Sequence, residues 1–147
     1  MSSITADLDC IGFAFGVPYE SQWGHRGFTH SIVFSLALAA LWACRNKEFD
    51  ASRLVVFFYT FISAISHPLI DALTDGGLGI AFFWPFSAER YFFPAHPIPV
   101  SPIGNRFFSE RGLHVFTSEL AMLWLPCLAL GGAGFAVRKF LEKKTPA

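Results

Sequence analysis

The chain has 147 residues, of which 53% are hydrophobic and 15% charged, and its mean hydropathy is +0.45. A soluble domain usually carries about 25% charge, so this composition argues against an ordinary soluble protein. Eleven basic and eleven acidic residues cancel, which removes the one-signed field that nucleic-acid binding exploits.

At the N-terminus, ADLD (6–9) sets Asp7 and Asp9 two positions apart. In an extended segment they point the same way. No basic stretch followed by an apolar one marks a cleavable leader. GHRGFTHS (24–31) then stands directly against Ile32 to Cys44, a run with no charge. Three apolar segments follow one another: about Gly27 to Cys44, Arg53 to about Asp75, and Leu113 to Val137. As helices they would span roughly 27, 35 and 38 Å at about 1.5 Å per residue, against a hydrocarbon core of about 30 Å. The first is marginal, and a buried helix of a soluble protein is the competing reading for it. Thr29 or Ser31 is placed to cap it, RNKEFDASR (45–53) reads as a charged hairpin loop, and Gly76-Gly77 stops the second helix. Pro126 should kink the third, while GGAG (131–134) offers a smooth face for helix packing.

The connection from Gly76 to Gly112 contains FFWPF, RYFF and PAHPIPVSPIG. Its prolines forbid a long helix, and its aromatics suit the headgroup zone of a bilayer. The expected fold is therefore all-α: one integral membrane bundle of about three transmembrane helices over residues 1–147, with an aromatic, Pro-rich loop resting on the surface. Three spans put Arg45, Lys47, Arg53, Arg138, Lys139, Lys143 and Lys144 on one side. The other side has Arg26, Arg90, Arg106 and Arg111 over a longer stretch. The positive-inside rule then makes the tail cytoplasmic and the opposite face external, periplasmic in a Gram-negative bacterium. The five histidines (His25, His30, His67, His96, His114) and Asp7, Asp9, Asp71 and Asp75 all fall on or toward that external face.

The most informative chemistry is SHPLIDALTD (66–75), where His67 and Asp71 are four apart and share a helix face. An imidazole and a carboxylate so placed make half of a Zn²⁺ site, or else a hydrogen-bonded pair that ties helices together. In HRGFTH, His30 is expected in the first helical turn and His25 in the loop before it, with Thr29 and Ser31 orienting the ligands. Asp7 and Asp9 gain weight from lying on the histidine side. Glu119 sits inside the third apolar segment, where a lone carboxylate is costly; a metal or one of Arg90, Arg106 and Arg111 is its expected partner. His96 and His114 read as structural or interfacial. Cys10, Cys44 and Cys127 are few and widely spaced, and read as small buried thiols. Carboxylates with imidazoles suit Zn²⁺ best, with Mn²⁺ or Fe²⁺ as the other cations. No G-x-S-x-G, HExxH or P-loop is present.

Together ADLD, GHRGFTHS, SHPLIDALTDGG and WPFSAERYFFP resemble the YdjM family of bacterial inner-membrane proteins, which are regarded as metal-dependent hydrolases. The resemblance runs over roughly residues 5 to 130. The family is distantly similar to zinc-dependent phospholipase C and P1-type nucleases, which implies an all-helical fold and a phosphoester substrate. It also implies Asp9, with Asp7, as the acidic motif, His30 as the second motif histidine, and His67 with Asp71 as its HxxxD helix. Ser87 and Arg90 fall in a PFSxxR segment where an arginine could hold phosphate. Family members commonly begin with a further apolar helix that carries a histidine. This sequence opens MSSITADLD, read either as a shortened start or as a lost helix and ligand.

The expected function is a membrane-embedded hydrolase in which Asp9, His25, His30, His67, Asp71 and Glu119 supply metal ligands. A metal-activated water would attack a phosphoester or lipid-like substrate. Asp7 or Asp9 would take the proton, and Arg90 would steady the anionic transition state. Membrane lipid is the expected partner, and nucleic acid is not. The alternative is a non-catalytic membrane protein with a structural His/Asp site or polar network. A proton or metal-ion pathway through Glu119 fits poorly, because the cytoplasmic halves of the helices are nearly all apolar.

Overall fold

A computed structural model describes residues 2–102 and 107–144. Arg106, one of the expected partners of Glu119, lies outside the described residues. Two compact units divide the chain, Met1–Pro97 and Ile98–Ala147. Among the described residues all regular elements are helical, and an isolated antiparallel bridge pairs Ile80 with Tyr91.

In the first unit a 3₁₀ helix, Ser2–Phe15, is followed by a one-turn 3₁₀ segment, Phe28–His30. Then come α1, Ile32–Cys44, and α2, Arg53–Asp71. The start of α1 settles the choice of cap: the Ser31 hydroxyl accepts the Phe34 N–H at 3.0 Å. His30 therefore belongs to the tight turn before α1 and not to its first turn. At thirteen residues, α1 is about 20 Å long. The end of α2 is Asp71, earlier than expected, because Leu73 N and Thr74 N turn back onto Ile70 O and Asp71 O before the glycines are reached.

The α1–α2 hairpin closes along a seam of slim side chains. Ser31, Ser35 and Ala39 are buried at intervals of four, and Val56, Thr60, Ala64 and Pro68 are buried at the same interval on α2. Small residues let helix backbones approach where no water is present to drive them together. The outward faces are apolar: Leu36, Leu41, Leu54, Val55, Phe58, Tyr59 and Ile62 are exposed. In water such a surface would be an aggregation hazard; in lipid it is the solvated face.

The first part of the long connection is laced over the GHRGFTHS segment. Ala81 N donates to Arg26 O at 3.1 Å, Ile32 N to Phe82 O at 3.0 Å and Phe93 N to Ala72 O at 3.0 Å. Gly27 is needed here because a Cβ would strike the Gln22 carbonyl oxygen.

The second unit contains α3, Glu110–Glu119, and α4, Leu125–Lys144, joined by a π turn, Leu120–Trp124. The expected kink at Pro126 takes the form of this widened turn just ahead of the proline. Pro126 has no N–H to give to residue 122, and the i→i+5 bond from Leu125 N to Leu120 O shifts the register there. Helix runs unbroken through Glu110–Leu141, 32 residues, starting three residues before the expected Leu113. Two helices, this one and α2, are long and apolar enough to cross a membrane. The thiols correct one expectation: Cys44 and Cys127 are exposed and Cys10 is half-buried, because the helix surfaces that carry the first two face outward.

Candidate metal centre

Four donor atoms from three separate stretches meet in the first unit. His30 arrives from the tight turn before α1, His67 and Asp71 from the last turn of α2, and Asp7 from the N-terminal 3₁₀ helix. Asp7 Oδ1 is 3.1 Å from His67 Nε2 and 3.7 Å from His30 Nε2. Asp71 Oδ2 is 3.5 Å from His30 Nε2 and 3.7 Å from His67 Nε2. Donors that share a tetrahedral zinc at about 2.1 Å stand about 3.4 Å from one another; those of Asp7, His30 and His67 all lie within 4.8 Å of one another, with Asp71 close to both histidines.

One atom makes the case sharper. His30 is fully buried, and its Nε2 has no hydrogen-bond partner. A buried polar nitrogen left unpaired is costly. Its neighbours, carboxylate oxygens at 3.5 and 3.7 Å, are too distant for hydrogen bonds yet well placed to share a cation. The residues present fit a divalent metal of the zinc type.

Asp9 takes a different place from Asp7. In a 3₁₀ helix successive residues turn by about 120°, so Asp7 and Asp9 diverge instead of pointing the same way as an extended ADLD would require. Asp9 Oδ1 meets His25 Nδ1 at 2.8 Å. Its Oδ2 accepts the Thr29 hydroxyl at 2.5 Å and lies 3.2 Å from His30 Nδ1. An ionised carboxylate can only accept, so His25 presents Nδ1–H to it, and the Thr29 hydroxyl, having given its proton to Asp9, accepts Nδ1–H of His30 at 3.0 Å. That fixes His30 with Nε2 aimed at the donor cluster, the arrangement by which a carboxylate orients a metal-binding histidine. Asp9 is thus behind the cluster, and His25, whose Nδ1 is bound to it, stands beside it.

The electrostatics follow from the same contacts. Burial disfavours charge on Asp7 and Asp9, but the histidines (and Thr29, for Asp9) outweigh it and hold both carboxyls well below the usual range. For His30, burial acts downward, while Asp7, Asp71 and Asp9 push the ring up to about 10. The metal-free ring is therefore protonated at neutral pH and serves as the cation among the carboxylates. This part of the stability is complete below the ring's ordinary 6.5 and is lost as pH rises through about 10. The Asp7 and Asp9 contribution is present above their ordinary 3.8 and is lost as pH falls below it. A cation at Nε2 must displace the His30 proton. Zinc binding should release about one proton, with apparent affinity rising about tenfold per pH unit between about pH 6 and 8. Titration calorimetry in two buffers of different ionisation enthalpy measures this directly.

Arg90 donates to three backbone carbonyls, of His25 at 3.0 Å, Ser21 at 2.9 Å and Tyr19 at 3.3 Å. Its guanidinium clamps the 19–25 loop through these three carbonyls. Glu119 belongs to the second unit, at the end of α3. His96 is exposed with its ring against Phe92, and His114 is exposed on α3. Cys10 Sγ lies 3.4 Å from His25 Nδ1, and with Asp9 these form a second group whose donor atoms fall within 4.8 Å. That group is satisfied internally, and burial with the nearby Asp9 carboxylate pushes the Cys10 thiol up to about 11. Arg26, which nothing in the motif singled out, is 3% exposed and lies 3.3 Å from Asp71 Oδ2 through Nε.

A model of the YdjM inner membrane protein family matches residues 1–141. The inner membrane protein YbcI of Escherichia coli (strain K12) is 39% identical over 128 residues, 86% of this chain and 74% of that protein. No solved structure matches significantly.

Proposed function

The chain belongs to the YdjM inner membrane protein family, and from that premise we propose that it is a membrane-bound, metal-dependent hydrolase. The observation that carries this reading is the buried Nε2 of His30, which makes no hydrogen bond and stands 3.7 Å from Asp7 Oδ1 and 3.5 Å from Asp71 Oδ2, both of which also approach His67. His30, His67 and Asp71 would hold the cation, a two-histidine, one-carboxylate set of the kind that catalytic zinc sites use. A divalent ion there lowers the pKa of water toward neutrality and so supplies a nucleophile for ester hydrolysis.

The chain's own groups divide the remaining work. Asp7 is the most open of the four, with 41% of its side chain exposed against 0% for His30, 18% for Asp71 and 21% for His67. It stands where a substrate can approach, a carboxylate placed to take the proton of an attacking water. Asp9 holds the rings of His25 and His30 in register. The substrate in this reading is a phosphoester, of a size set by the open side at Asp7. In the three-pass topology, α1, α2 and the long C-terminal helix cross the inner membrane, and the cluster, on the turn before α1 and the end of α2, opens to the periplasmic side. Membrane lipid is then both the solvent of the outward helix faces and a candidate source of substrate.

Elemental analysis of the detergent-purified protein tests the reading. Near-stoichiometric zinc is expected, with His67→Ala reducing it to background while helical circular dichroism persists. A folded wild-type protein that takes up no metal would sink the proposal. The second reading, a structural site, draws support from the count of donors: if Asp7 also ligates, four side chains close a tetrahedron and leave no position for water.

A further inference from the structure

We infer that Arg26 is a positioning residue for the metal ligand Asp71, locking its ligating oxygen through a guanidinium latch closed over Gly76 and Gly77. This rests on the metal-site reading above. The Arg26 side chain is 4% exposed; its Nη1 donates to Gly76 O at 2.6 Å and its Nη2 to Thr74 Oγ1 at 3.0 Å, just beyond the end of α2, while its Nε, which makes no hydrogen bond, lies 3.3 Å from Asp71 Oδ2 as an ion pair. Thr74 in turn donates to Asp71 O at 2.7 Å, so the carboxylate and its own backbone are held by one unit.

Two further features show that the chain is shaped around this side chain. Arg26 has φ of 64°, the left-handed region that a non-glycine residue enters at a cost. The Ala81 N–H bond to its carbonyl and Gly27 beside it hold it there. Opposite, a Cβ on Gly77 would come within 2.7 Å of Arg26 Nη1 and of the Tyr19 hydroxyl, so only glycine leaves room for the guanidinium. A planar fork can hold Asp71, Thr74 and Gly76 together, whereas a lysine ammonium can satisfy one or two of them. Ligands held by such outer contacts bind their metal more tightly, typically by about 10- to 100-fold.

The test is zinc affinity and the visible spectrum of the cobalt-substituted protein for wild type, Arg26→Gly and Arg26→Lys. Glycine accepts the left-handed backbone and removes only the fork, so a role confined to the turn would leave binding intact. Expected for Arg26→Gly is a 10- to 100-fold weaker zinc affinity and a cobalt band of lower intensity as Asp71 loosens; Arg26→Lys should fall between. Should Arg26→Gly fail to fold by circular dichroism, Arg26→Lys decides by the same two readouts. Unchanged affinity and spectrum in the folded variant overturn the inference and leave the metal site standing. A wild-type protein that binds neither zinc nor cobalt overturns both.

Discussion

His30→Ala should strip the protein of its metal and weaken its fold at the same time. The ring occupies a fully buried position and touches every acidic side chain of the cluster: Asp9 at 3.2 Å, Asp71 at 3.5 Å and Asp7 at 3.7 Å. Removing it takes away a metal donor and a cation that, together with Arg26 beside Asp71, balances those carboxylates in the metal-free state. Stranding buried charge in this way costs about 3–5 kcal/mol, so the metal-free variant should melt well below metal-free wild type. Zinc content should drop to background. The comparison that gives the result its meaning is His67→Ala, whose ring is partly exposed: it should lose the metal with a much smaller drop in melting temperature. Equal destabilisation by the two, with zinc retained in either, would contradict the assignment of His30 as the hub.

The second large effect is expected at Asp7. If Asp7 accepts a proton and does not ligate, Asp7→Asn should keep zinc near stoichiometric and lower the hydrolysis of a chromogenic phosphodiester by about 10²–10⁴-fold, the usual contribution of a general base. Zinc content and turnover measured on the same preparation separate the alternatives. Loss of zinc together with activity would identify Asp7 as a fourth ligand and favour a closed, structural site. Retention of both would remove Asp7 from the chemistry altogether.

How far these features could be read from sequence depends on how local each one is. His67 and Asp71 were legible because four-residue spacing on a helix is a local property, and α2 does bring them to one side. The all-helical character and a long span at α2 followed from composition in the same way. The path of ADLD was not legible, since a 3₁₀ helix and an extended strand cannot be told apart over four residues, and the two put Asp9 on different sides of the cluster. The arginines show the limit most clearly. Arg26 and Arg90 both sit in polar motifs, and which guanidinium enters the cluster is decided by a left-handed residue at 26 and by the route of the 76–93 connection. Neither leaves a periodic trace. Glu119 drew attention because a carboxylate in an apolar helix is unusual, a reason that says nothing about where it ends up relative to residues more than a hundred positions away.

The slim seam between α1 and α2 has a consequence beyond packing. His30 is fixed to the head of one helix and His67 with Asp71 to the foot of the other, so the two halves of the donor set are the jaws of a caliper whose arms are α1 and α2. Sliding one helix by a single residue moves a jaw by about 1.5 Å, several times the tolerance of about 0.2 Å on a metal–ligand bond. The girth of the buried side chains at Ser35, Ala39, Thr60 and Ala64 sets the gauge.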